Sequence, residues 1–219
     1  MSNELLTSSL ETEIVSPGRL VIITGPTASG KSHARSLLEK RGIGRIISAT
    51  TRDKRRGEKG GRDYHFMTRE EFKTRIARGE FLEWNEYNNN LYGTPKSELE
   101  TLFNGKHLTH ATEIEGAVHF LSNVKLAYSH DPQKTQALLD NITLAFIGVD
   151  SLFTIRSRYF QREKRSGSLS QDARDAFRGR LRTDWENWNL HKEAFNHVVM
   201  NETGEIERTV EQLLRLFHD

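Results

Sequence analysis

The sequence predicts an α/β fold: a mostly parallel sheet covered by helices on both faces. Three observations carry it. Short apolar, β-branched runs recur along the chain, segments with helical spacing of apolar residues lie between them, and hairpin signals are weak except around Asn88 to Asn90. Parallel strands need long crossover connections, usually helical, which is the alternation seen.

In chain order, Leu20 to Thr24 is an apolar run that stops at Gly25 and Pro26, after which Ala34, Leu37 and Leu38 repeat at helical spacing up to Gly42. That is strand, glycine loop, helix. A second strand is expected over Arg45 to Ala49. The stretch RDKRRGEKGGR at 52–62 carries six basic groups against two acidic with no apolar period, and reads as an exposed basic loop. Thr68 followed by Glu71 fits a capping box, Phe72 and Ile76 lie one turn apart, and Gly79 ends this helix before a short strand at 80–84. Pro95 suits the first turn of a further helix with Leu99, Leu102 and Phe103 on one face. Leu144 to Val149 and His197 to Met200 read as buried strands. Between them runs a long polar stretch, with nine basic and three acidic residues from Arg156 to Arg182. Ile206, Val210, Leu213, Leu214 and Phe217 form the apolar stripe of a final helix. Residues 123–141 are an insertion without an assigned role.

Composition narrows the function classes. The 219 residues carry 32 basic and 30 acidic side chains, a net charge of +2, so no bulk excess of charge points to nucleic acid or an anionic membrane. Neither is expected as a partner. With no cysteine there is no disulfide framework, thiolate zinc site or cysteine nucleophile, which suits a reducing interior and a cytoplasmic location. The apolar runs are far shorter than the roughly 20 residues of a membrane span. Residues 1–17 are acidic where a secretory signal is basic, and are expected to form a flexible tail ahead of a single domain at 18–219. A chain of this size buries about 70% of its unfolded surface and can stand as a monomer or homodimer.

The segment GPTASGKS at 25–32 matches GxxxxGK[ST] in full, directly after a strand and at the start of a helix. The motif's spacing has a physical reason. Backbone N–H groups of Gly25, Pro26, Thr27, Ala28, Ser29, Gly30, Lys31 and Ser32, proline excepted, can curl around the phosphates of ATP, and the helix N-terminus adds a favourable dipole. Lys31 reaches the β and γ phosphates, and the Ser32 hydroxyl can ligate Mg²⁺. The fold class is thereby a P-loop NTPase-type parallel sheet flanked by helices.

Four further segments follow in order: SATTRDKRRGE at 48–58, GRDYHF at 61–66, EFLEW at 80–84 and YGTP at 92–95. Together with the P-loop they resemble the guanylate kinase family, tightly from Gly18 to about Lys106 and more loosely from Leu144 to Phe217. The resemblance implies transfer of phosphate from ATP to GMP or dGMP. It also implies a small inserted α+β subdomain for the acceptor monophosphate at about 51–106 and a helical lid at about 154–182. Arg52 and Arg55 would hold the acceptor phosphate, whose oxygens suit planar guanidinium forks, and Tyr64 and Tyr92 would donate to it. Glu83 would accept from guanine N1–H and the exocyclic amine, while Ser48 and Thr94 would donate to the O6 side. Lid arginines Arg158, Arg162, Arg165 and Arg180 would close over the ATP phosphates.

The chain also departs from that pattern. Where the family reads Asp-x-Asp before a Gln-Gly turn, this chain has Ala111 and Glu113, then Glu115 and Gly116, and His33 follows the P-loop serine in place of threonine. Glu113 is assigned to the acceptor site on this resemblance. His107 and His110 read as packing or surface residues rather than metal ligands. Two other readings share the same residues: a phosphopeptide-binding scaffold of guanylate-kinase-like form, and a kinase whose acceptor has shifted to another monophosphate.

Overall fold

A computed structural model describes residues 17–55, 57–87, 89–165 and 171–218. The expected tail at 1–17 therefore lies outside the described residues apart from Pro17.

In chain order the strands are β1 (Leu20–Thr24), β2 (Gly44–Arg45), β3 (Ala49–Thr50), β4 (His65–Phe66), β5 (Phe81–Tyr87), β6 (Asn90–Pro95), β7 (Leu108–Ala111), β8 (Ile142–Gly148) and β9 (His197–Met200). The helices are α1 (Lys31–Lys40), α2 (Arg69–Ala77), α3 (Lys96–Glu100), α4 (Ile114–Ala127), α5 (Pro132–Asp140), α6 (Leu152–Arg165), α7 (Gln171–His191) and α8 (Ile206–Arg215). A five-stranded sheet runs β2-β7-β1-β8-β9 with every pairing parallel. A smaller sheet, β4-β3-β6-β5, is mixed, and β5 and β6 form an antiparallel hairpin from Phe81 to Pro95.

Strand β1 is buried along its whole length, and its alternate side chains feed two separate cores. Leu20 and Ile22 pack with Ala117, Phe120 and Val124 of α4, while Val21 and Ile23 pack with Ala34 and Leu38 of α1 and Val210 and Leu213 of α8. Burying a side chain of this kind contributes about 1.5–3 kcal/mol each, so the central strand is anchored from both faces. The small sheet has a core of its own around Phe72 and Phe81, whose rings stack at 4.3 Å. Thr68 caps α2 by accepting from the Glu71 N–H at 3.1 Å. A fourth cluster, Ile155, Tyr159 and Phe177, joins α6 to α7 and packs on Ala28 of the P-loop.

Two stretches differ from the sequence reading. The strand expected at Arg45 to Ala49 is two strands in two sheets. Ile46 still donates to Thr109 O, but Ile47 N–H turns to the Glu98 carboxylate at 3.0 Å, and Ala49 pairs with Gly93. The unassigned insertion is the end of α4 plus α5, capped by Asp131 and anchored by buried Tyr128 and Leu138. Among the described residues no helix is long and apolar enough to cross a membrane.

Candidate active site

The P-loop leaves β1 at Gly25 and enters α1 at Lys31. Two of its glycines are required by close approach. Gly25 has φ +146° and a Cβ there would lie 2.3 Å from Ile147 O, while Gly30 has φ +102° and a Cβ would lie 2.3 Å from Asn201 Nδ2. Asn201 is buried directly after β9. Its side-chain amide donates to Ser29 O at 2.6 Å, and its own carbonyl accepts from Arg158 Nη2 at 3.1 Å. Lys31 Nζ folds over the loop and donates to Gly25 O at 2.6 Å and Pro26 O at 3.1 Å. Thr27, Ala28, Ser29, Gly30, Lys31 and Ser32 line a cavity of about 430 Å³ together with Glu113, Arg158 and Arg180.

Two of the four arginines expected in a lid are therefore at the P-loop. Arg158 projects from α6 with a buried Nη1 that has no hydrogen-bond partner, and Arg180 comes from α7. A buried guanidinium N–H without an acceptor is costly unless an anion fills the gap. The side chains of Arg162 and Arg165 lie outside the described residues, as do residues 166–170. A long-range contact also crosses here. Asp184 of α7 accepts the Thr27 N–H at 2.7 Å, so a carboxylate from the expected lid sits on a backbone donor of the P-loop. Burial pushes the Asp184 carboxyl above its ordinary pKa, with the Glu113 charge adding to the shift and the Thr27, Lys31 and Arg180 contacts opposing it.

The acceptor residues converge on a second cavity of about 270 Å³, lined by Ser48, Tyr64, Glu83, Tyr92 and Thr94 with His110 and Ala111. Arg52 lies beside it, 5.4 Å from the Tyr64 ring centroid, and the two tyrosines meet edge to face at 6.2 Å. Its guanidinium is held by Glu58 through two bonds, Nη1 to Oε2 at 3.0 Å and Nη2 to Oε1 at 2.9 Å. That fork is the geometry a phosphate would use, and it keeps the Glu58 carboxyl below its usual range. Arg55 is exposed and contributes its backbone N–H to Glu58 at 2.8 Å. Glu83 accepts from Thr94 Oγ1 and from Asn123 Nδ2, both at 3.2 Å. Burial raises its pKa, with Thr94, Asn123 and His119 pulling the other way.

Between the two lies a larger cavity of about 890 Å³. Thr27, Glu113, Arg180 and Asp184 line it from the P-loop side, and Glu83, Trp84 and Asn85 from the other. Glu113 thus faces the P-loop cavity and this central space, not the smaller acceptor cavity. His110 is buried against Phe120 with its pKa lowered to about 4, and His107 Nδ1 accepts the Arg19 N–H at 2.9 Å. For a metal, the P-loop cavity offers the exposed Ser32 hydroxyl and the Glu113 carboxylate. An all-oxygen donor set fits a hard, water-retaining cation such as Mg²⁺.

Asp184, Asn201, Asn123 and Glu58 were not reached from the sequence. Only Asn201, an Asn directly after an apolar strand, carried a local signal.

A guanylate kinase family model matches residues 17–119. Guanylate kinase of Clostridium perfringens (strain 13 / Type A) is 48% identical over 104 residues, which are 46% of this chain and 48% of that one. The chain thus spans about half the length of the curated relatives of this kind that it matches. Guanylate kinase of Thermotoga maritima is 32% identical over 205 residues, covering 91% of this chain and 86% of its own. The crystal structure of guanylate kinase from Anaplasma phagocytophilum superposes with a TM-score of 0.59 at 26% identity, covering 93% and 86% of the two chains. These likenesses, the Thermotoga maritima relative matching over most of both chains, establish that the chain belongs to the guanylate kinase family.

Proposed function

We propose that the protein transfers the γ-phosphate of ATP to GMP or dGMP, giving ADP and the nucleoside diphosphate. The observation that carries this reading is the common wall of the two sites. Glu113, Arg180 and Thr27 on the donor side and Glu83 and Trp84 on the acceptor side line one continuous cavity, so two nucleotides can meet end to end.

Phosphoryl transfer of this kind needs positioning and charge neutralisation more than covalent chemistry. The P-loop N–H groups and Lys31 hold the donor phosphates, and Arg158 and Arg180 neutralise charge that builds on the transferring group. Arg52, released from Glu58, takes the acceptor phosphate with Tyr64, Tyr92 and Arg55, and so aims an acceptor oxygen at the γ-phosphorus. Glu83 reads the N1–H and exocyclic amine of guanine. Adenine has no N1–H, and binding it leaves a half-buried carboxylate without its donors. Ser32 and Glu113 would hold Mg²⁺, which when bound would offset the charge of the donor phosphates.

Nucleotide chemistry of this kind belongs to purine metabolism, and the cysteine-free composition suits the cytoplasm. A coupled assay of ADP release across GMP, dGMP and AMP, beside a phosphoserine-peptide binding titration, tests the reading. Fast turnover with GMP supports it. Turnover with no guanine monophosphate, or peptide binding in its place, overturns it.

A further inference from the structure

One face of α4 is apolar and buried, through Ile114, Ala117, Phe120 and Val124. The opposite face presents Gly116, His119 and Asn123, spaced three and four residues apart, to the central cavity beside Glu83. Asn123 does more than border that space. Its Nδ2 donates to Glu83 Oε2 at 3.2 Å while Thr94 Oγ1 donates to Oε1, so the carboxylate is gripped at both oxygens. Because an ionised carboxylate has no proton to give, the amide must turn its NH₂ towards Glu83 and its carbonyl away. Among the described residues that carbonyl, Oδ1, accepts no hydrogen bond.

The chemistry of the base edge gives it a role. Guanine presents three donor protons in a row, one on N1 and two on the exocyclic amine. A single carboxylate can take the N1 proton and the nearer amine proton side by side, which leaves the outer amine proton in need of an acceptor. At the end of β7, where the resemblance expects an aspartate, this chain has Ala111, whose methyl group accepts nothing.

We propose that Asn123 is a specificity-determining residue for the acceptor base, its Oδ1 taking the outer proton of a purine 2-amino group while its Nδ2 holds Glu83 in place. This rests on the guanine-phosphorylating reading above, and adds to it the residue that separates a 2-aminopurine from a purine bearing only hydrogen at that carbon. The amide adds no second negative charge next to Glu83, so the pocket recognises the amine without like-charge repulsion between its two acceptors.

IMP isolates the contact, because it keeps N1–H, O6, ribose and phosphate and lacks only the 2-amino group. KM and kcat are measured for GMP and IMP with the unaltered protein, Asn123→Leu and Asn123→Ser, alongside thermal melting of each. The expected result is a preference for GMP over IMP in the unaltered protein that falls about 3- to 10-fold in both variants, the range of one neutral hydrogen bond. GMP should lose the larger share of kcat/KM, and IMP only what the loosening of Glu83 costs both substrates. An equal loss for both substrates would mean that Asn123 only props Glu83, and an unchanged ratio that it does neither. Either outcome overturns the proposal while leaving guanine phosphorylation standing. Should the leucine variant not fold, the serine variant, which is smaller and polar, carries the same comparison. No preference for GMP over IMP in the unaltered protein also overturns it, and turnover of neither would remove the underlying reading as well.

Discussion

Replacing Asp184 with Asn tests whether the lid carboxylate competes with the nucleotide for the P-loop. Its Oδ2 stands 2.7 Å from the Thr27 nitrogen, in a cavity wall shared with Glu113. A phosphate oxygen that takes the Thr27 N–H must displace the carboxylate and then lie close to it. Two unit charges ~4 Å apart repel by about 1 kcal/mol in water and about 4 kcal/mol at the effective dielectric of a protein surface. Screening and partial exposure favour the lower part of that range. Removing the charge while keeping the side-chain shape should therefore tighten ATP by about 1.5 kcal/mol, close to tenfold. Calorimetric titration of ATP with Mg²⁺ into both proteins at low salt reads this directly. The same substitution has a stability signature. The folded state raises the Asp184 pKa, so its contribution is fully present below the ordinary carboxyl pKa and is lost as pH rises through the raised value. The Asn variant should accordingly melt higher than the parent near neutral pH, with the gap closing in acid. ATP binding that is unchanged or weaker in the variant refutes the reasoning, because the carboxylate would then be helping to hold the nucleotide or its metal ion.

Three further outcomes are expected. Lys31→Ala should lower kcat about 100-fold or more while GMP affinity, measured without ATP, stays within about twofold, since the lysine donates to the carbonyls of Gly25 and Pro26 in the donor loop; near-normal turnover at saturating ATP would contradict the cradle. Glu83→Gln should weaken GMP about 10- to 100-fold, the range of a charge-assisted hydrogen bond. The parent should also lose GMP affinity as pH falls through the raised Glu83 pKa, beginning at a higher pH than an ordinary carboxylate, and the Gln variant should lack that component. Gly30→Ala should melt lower by an amount equivalent to about 1–3 kcal/mol, because the new Cβ meets the Asn201 amide in a backbone conformation alanine resists; a melting temperature equal to the parent's would show that the loop relaxes freely.

The parts of this molecule most legible in the sequence are those written in local pattern. The run Leu20–Thr24 followed by GPTASGKS specified β1, the loop and α1, because burial on both faces, close backbone approach and a helix start each leave a mark within a dozen residues. The acceptor role expected from Ser48 to Thr94 rests on resemblance to a known family, and the structure gathers Ser48, Tyr64, Glu83, Tyr92 and Thr94 around one cavity. What local pattern leaves out is which distant groups meet. Glu58 facing Arg52, Asn123 facing Glu83 and Asp184 facing Thr27 are ordinary polar residues until the fold brings them within 3.2 Å of a partner. The split of the expected strand at 45–49 has the same origin, since Glu98, 51 positions along the chain, accepts the Ile47 N–H where the strand turns. Glu113, expected at the acceptor on the family pattern, lies directly ahead of α4 and lines both the P-loop cavity and the central one.

Asn201 carries a consequence for the order in which the site becomes whole. It binds Ser29 across 172 positions of sequence and holds Arg158 with its carbonyl. A ribosome adding about 5 to 20 residues per second delivers it roughly 10 to 30 s after the P-loop. Through that interval a nascent chain carries every residue of the GxxxxGKS motif without the clasp that fixes its shape. Nucleotide affinity should therefore be acquired late and abruptly, when β9 docks beside β8, rather than growing with chain length. A release series of ribosome-bound chains, probed with a fluorescent ATP analogue, should show the step only after residue 201 has cleared the exit tunnel.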